Sequence, residues 1–168
     1  RFPQPLLVPS ASSLVPMKVF LGADHRGFEL KEKLKEWLGT KGYEVHDLGA
    51  DRLEPDDDYP DFAVAVAERV AADPLNRRGV LLCGSGGGMD VAANKVRGIR
   101  ASVAWSVDAA AHTRSHDDAN VVSIPADWTP PEAAAEIVRA FLETPFSGEE
   151  RHARRLKKIA EIEGKNFK

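Results

Sequence analysis

Cysteine is almost missing from this chain: Cys83 is the only one in 168 residues. No internal disulfide framework can form, and the composition suits a reducing compartment. No apolar run approaches the about 20 residues that a bilayer-spanning helix needs. There is no CxxC pair, and the five histidines form no cluster at metal-ligand spacing. Positive charge is not in excess either. A net charge of −3 and a pI near 6.0 leave no electrostatic footprint for nucleic acid or for an anionic membrane surface. What remains is one cytoplasmic globular domain. With 43% hydrophobic and 29% charged residues, it can bury roughly two thirds of its unfolded surface.

The chain is organised around LLCGSGGGMDVAANK, residues 81–95. An apolar run, Gly79 to Leu82, reads as a buried parallel strand. It ends in Cys83, then Gly84-Ser85-Gly86-Gly87-Gly88, then a helical pattern. Glycines allow close approach of the backbone to a ligand, and amides opening a helix favour an anionic oxygen. A thiol beside such donors is placed to act as base or nucleophile. Read alone, however, a lone Cys ending an apolar strand is also a small buried hydrophobe.

Residues 1–16, rich in Pro and Ser, read as an extension upstream of a domain over 17–168. Strands are expected at Met17–Ala23, Tyr43–Leu48, Val80–Cys83, Arg100–Trp105 and Asn120–Ile124. Helices are expected at Phe28–Leu38, Asp61–Ala72, from the glycine turn to Lys95, at Val107–Ser115, from Pro131 to Thr144 and at Glu149–Glu163. This alternation predicts an α/β, Rossmann-like three-layer domain: a central parallel sheet of about five strands with helices on both faces. Ligands on such sheets sit beyond the carboxyl ends of the strands, which brings Asp24-His25 and Cys83 to Gly88 together. A dinucleotide fits less well, because GADHRG lacks the GxGxxG spacing.

The motifs GADHRGFELK, DYP at Asp58–Pro60, CGSGGGMDVAANK, GIRA at Gly98–Ala101 and RSHDDANV at Arg114–Val121 resemble the type B ribose-5-phosphate isomerases and their galactose-6-phosphate-isomerising relatives. The likeness spans residues 17 to about 163. It implies aldose–ketose isomerisation of a sugar phosphate through a cis-enediolate, without metal or organic cofactor. By resemblance Cys83 is the base; relatives lacking that cysteine use a Glu that falls on Met89. Ser85 and the amides of Gly86, Gly87 and Gly88, with Gly84 beside them, form the enediolate hole. His116 and Asp24 serve ring opening, and His25 lies near the phosphate. Asp117 and Asn120 fall at sugar-contacting positions. Arg151 and Arg155, four apart on one face of the C-terminal helix, match phosphate-binding arginines that reach a neighbouring subunit. The resemblance therefore implies a homodimer or a dimer of dimers with shared sites.

Each residue also has a plainer reading: Asp24 as a helix cap, His116 as a cation at a helix C-terminus, Arg151 and Arg155 as a solvated face. His46 and His112 match no functional position. Two departures bear on the substrate. Asp117 stands where relatives carry Asn, and Asp127 falls where they carry a phosphate-binding arginine, which reverses the charge. A carboxylate repels phosphate unless it is paired. A different sugar or sugar phosphate, a catalytically retired binding protein and a flavodoxin-like module are the alternatives.

Overall fold

The computed structural model describes residues 15–167; the expected N-terminal extension lies, up to residue 14, outside the described residues. The elements run β1 (Lys18–Ala23), α1 (Phe28–Thr40), β2 (Glu44–Asp47), α2 (Tyr59–Ala71), β3 (Arg77–Cys83), α3 (Gly87–Ala93), β4 (Ala101–Val103), α4 (Val107–Asp117), β5 (Val121–Pro125), α5 (Pro131–Glu143) and α6 (Glu150–Asn166). All five strands are parallel, in the order β2-β1-β3-β5-β4, so β3 with its terminal cysteine is central. The expected three-layer architecture is the one observed. Boundaries moved: β4 is three residues instead of six, and α3 ends at Ala93, two residues before the expected Lys95.

Strand pleating divides the core in two. Val80 and Leu82 of β3 point to one face, with Leu30, Leu34 and Leu38 of α1 and Ile137, Val138 and Phe141 of α5. Leu81 and Cys83 point to the other, with Ala63, Val66 and Val70 of α2 and Met89 and Ala93 of α3. Near-continuous apolar strands are required because both faces are covered.

A buried ion pair ties the first layer to the second strand. Lys31 of α1 is fully buried, and its Nζ lies 2.6 Å from Asp47 Oδ2 at the end of β2. Burial alone would raise the Asp47 carboxyl, but hydrogen bonds from Lys31, Lys35 and the Gly49 amide hold it below its usual range.

The helices α4 and α5 run back from the carboxyl edge of the sheet to its amino edge, where α6 follows. Of α6 only His152 is buried. The helix packs lightly against α4, and Glu163 accepts from the Gly98 amide at 2.7 Å, just before β4.

Candidate active site

At the carboxyl edge, the turn after β1 folds over the turn after β3. Asp24 is buried, and its Oδ1 accepts from the amides of Arg26 (3.0 Å) and Gly27 (3.1 Å). It orders the turn that precedes α1 without capping the helix, whose N-cap is Gly27 with no side-chain cap hydrogen bond. Desolvation nonetheless raises its carboxyl above the usual range, with the two amides and His25 pulling the other way. A carboxyl so placed can hold a proton that an exposed aspartate would release. Gly27 makes this closeness possible: a Cβ there would lie 2.3 Å from the Leu82 carbonyl oxygen.

His25 is fixed by a residue that sequence reading passed over within the acidic loop 49–58. Asp57 Oδ1 accepts from the His25 amide at 3.0 Å and meets its ring Nδ1 at 2.7 Å. Nε2 makes no hydrogen bond among the described residues. Asp24, His25 and Asp57 each bring one ligand-type atom to within 4.8 Å of the others, the one such group among the described residues. Asp24 Oδ1, His25 Nδ1 and Asp57 Oδ1 are engaged in the bonds just named, while Asp57 Oδ2 is buried without a hydrogen-bond partner among the described residues.

Cys83 closes β3, 4% exposed, its side chain on the α2–α3 face. The backbone then turns through Gly86 at φ 76°, a left-handed conformation that suits glycine, and the Ser123 hydroxyl pins the Gly86 carbonyl at 2.6 Å. Ser85 is exposed, its Oγ accepting from the Gly87 amide at 3.3 Å. The Tyr59 ring, from the DYP motif, stands over Gly88, where a Cβ would lie 2.8 Å from the ring. Tyr59 is thus a wall of the site that its motif marked without giving it a role.

The remaining expected residues lie elsewhere. Because α4 runs antiparallel to the strands, its end, with His116 and Asp117, reaches the amino edge. The seven residues of β3, at about 3.3 Å each, put that edge roughly 20 Å from Cys83. Within one chain the fold therefore keeps Asp24 and His116 on opposite edges of the sheet. His116 stacks on His112 (centroids 3.9 Å) and meets His152 (4.2 Å), while its Nδ1 contacts Ser115 Oγ at 2.8 Å. His112, given no role from sequence, is part of this group. His152 is held by Ser147 Oγ at 2.7 Å; burial, then His116, lowers its basicity. Arg151 and Arg155 project from the exposed first turns of α6 on this same edge. Asp117 is exposed, with Arg100 Nε bound to its carbonyl at 3.0 Å.

Asn120 is also placed differently from expectation. It is buried, its amide oxygen accepting from the Arg100 amide at 2.9 Å and its nitrogen donating to the Gly98 carbonyl at 2.9 Å. That side chain is committed to holding β4 against β5. Asp127, by contrast, does reach the carboxyl edge: its amide donates to the Gly84 carbonyl at 3.1 Å, and its carboxylate receives Arg26 through Nε (3.1 Å) and Nη2 (2.6 Å).

With this geometry in place, comparison with known proteins is direct. A family model described as Ribose/Galactose Isomerase matches residues 19–159. The chain belongs to that family. It is 47% identical over 147 residues to ribose-5-phosphate isomerase B of Mycobacterium tuberculosis, covering 88% of this chain and 90% of the relative. Among solved structures, ribose-5-phosphate isomerase B from Mycoplasma genitalium with bound ribulose-5-phosphate superposes with a TM-score of 0.86 at 39% identity, covering 89% of this chain and 98% of that one. The Clostridium thermocellum ribose-5-phosphate isomerase B gives a TM-score of 0.84 at 42% identity, with 89% and 99% covered. Among the described residues no helix is long and apolar enough to cross a membrane.

Proposed function

We propose that this member of the ribose/galactose isomerase family is a cytoplasmic aldose–ketose isomerase acting on a sugar phosphate, of the ribose 5-phosphate to ribulose 5-phosphate type. The observation that carries this reading is the meeting at one edge of a thiol, a desolvated carboxyl and a glycine turn: Cys83, Asp24 and residues 84–88. Family membership supplies the reaction class.

In this mechanism Cys83 removes the C2 proton of the open-chain aldose and returns it to C1, while the O2 hydroxyl proton passes to O1. Charge developing on the enediolate oxygen is met by the amides of Ser85 to Gly88. Opening of the sugar ring needs a proton for the ring oxygen and removal of one from O1; Asp24 and His116 divide that work. His25 Nε2, with Asp57 steadying the ring, faces the phosphate together with Arg151 and Arg155.

The roughly 20 Å between the edges is far beyond hydrogen-bond reach, so His116, Arg151 and Arg155 serve the carboxyl edge of a second copy. The protein on this reading is a homodimer, or a dimer of dimers, with shared sites. The exposed α6 face bearing Ile159 and Ile162 supports such pairing.

The test is isotope exchange. Incubated with ribulose 5-phosphate in deuterated water, the protein should place deuterium stereospecifically at C1 and release ribose 5-phosphate, both followed by proton NMR. Cys83→Ala should lose exchange and turnover together. Absence of both from the unaltered protein would overturn the assignment, and exchange persisting in the variant would remove the thiol as base.

A further inference from the structure

Asp127 falls where the family resemblance implies a phosphate-binding arginine, and its charge is the opposite. The fold resolves this reversal through Arg26, which sits 101 positions earlier in the chain. Arg26 follows His25 in the turn after β1, and Asp127 follows β5. Their side chains meet across the turn after β3 as a two-pronged pair, Nε to Oδ1 at 3.1 Å and Nη2 to Oδ2 at 2.6 Å.

The pair lies directly on the glycine turn. A Cβ at Gly84 would fall 2.7 Å from Arg26 Nε and 3.0 Å from Asp127 Oδ2, so the absence of a side chain at 84 is what lets the pair rest there. Asp127 is itself fixed by its amide on the Gly84 carbonyl and, one residue earlier, by the Ala126 amide on the Cys83 carbonyl at 2.9 Å. The carboxylate is consumed by the guanidinium. Only two of the five guanidinium N–H groups are used, and among the described residues no acceptor meets Nη1. A guanidinium held by one edge presents the other as a preformed two-donor fork of the kind that fits a phosphate or carboxylate.

We propose that Arg26 is the anion-recognising arginine of this site, taking the place of the one that Asp127 displaces, and that Asp127 is the positioning residue that aims it. Arg26 then reads the phosphate end of the substrate beside His25. This rests on the sugar-phosphate reading above and adds a residue to it. It also removes the objection that an acidic 127 forbids a phosphorylated substrate.

The experiment compares the unaltered protein with Arg26→Ala, Asp127→Ala and the double variant Arg26→Ala/Asp127→Arg. Readouts are kcat/KM on ribose 5-phosphate relative to free ribose, and the dissociation constant of inorganic phosphate by calorimetry. Loss of a charge-assisted fork should lower the phosphate selectivity by about tenfold to a hundredfold in Arg26→Ala. Asp127→Ala should lose less, since the guanidinium remains but is no longer aimed. The double variant, with an arginine restored at 127, should recover most of the selectivity and phosphate binding. Unchanged selectivity and phosphate affinity in Arg26→Ala would overturn the proposal while leaving the isomerase reading intact. If the unaltered protein turns over no sugar, the isomerase reading falls, and Arg26 is judged on phosphate binding alone: affinity lost in Arg26→Ala and regained in the double variant supports it, equal affinity in all four proteins refutes it.

Discussion

The proposed sharing of each site between opposite edges of two copies makes a sharp prediction for mixed dimers. Take Cys83→Ala, which damages only the carboxyl edge, and His116→Ala, which damages only the amino edge. Each homodimer then carries two defective sites, and loss of a general base or acid should lower turnover by about 10²- to 10⁴-fold. In the mixed dimer one site combines both lesions and the other combines neither. Two differently tagged copies, coexpressed and purified through both tags in sequence, should therefore show about half the turnover of the unaltered dimer, because one of the two symmetry-related sites is whole. That is a rise of about 50- to 5,000-fold over either parent, readable in a coupled assay for ribulose 5-phosphate. A mixed dimer no more active than its parents would refute the shared site, and the placement of His116 roughly 20 Å from Cys83 would then have to be reconciled with a single-chain mechanism.

Asp47→Ala should cost about 1–3 kcal/mol in urea unfolding, because the fully buried Lys31 ammonium would lose its nearer carboxylate and keep only Glu32, 2.9 Å away. The Asp47 carboxyl is lowered in the folded state, so its contribution is present above the ordinary carboxylate range and is lost as pH falls through the lowered value; Asp47→Asn should flatten that acid limb of the stability profile. An unchanged acid limb would show that other carboxylates set it. Gly27→Ala should destabilise by about 1–3 kcal/mol or prevent folding, since its Cβ would meet the Leu82 carbonyl oxygen at 2.3 Å, whereas Gly87→Ala, with nothing nearer than Ser85 Oγ at 3.5 Å, should leave the melting temperature nearly unchanged. Equal melting temperatures for the two would refute the close-packing argument.

The layers and the sheet were legible because β1 and β3 end in apolar runs, residues 19–23 and 79–83, each followed by a turn containing glycine, and the rule that ligands lie beyond the carboxyl ends of parallel strands named Asp24, His25 and Cys83 without coordinates. His116 was marked by its motif, but a motif carries no position: a helix that follows a parallel strand runs back toward the amino edge, which puts the end of α4 opposite Cys83. Arg26 with Asp127, and His25 with Asp57, escaped notice because pairs 101 and 32 residues apart leave no periodic trace. Asn120 shows the reverse case. Its motif position suggested sugar contact, while both ends of its amide serve the backbone of Gly98 and Arg100.

The lengths of the strands bear on how copies can associate. The outermost strands, β2 and β4, have four and three residues, against six, seven and five for those inside. β2 carries Glu44, His46 and Asp47 on its short rim. Such truncated, charged margins offer too few unpaired backbone groups to template another chain. Growth of the sheet into fibrils or ribbons is thereby discouraged, and contact between copies is left to helical surfaces, where a rigid rotation can close after two subunits.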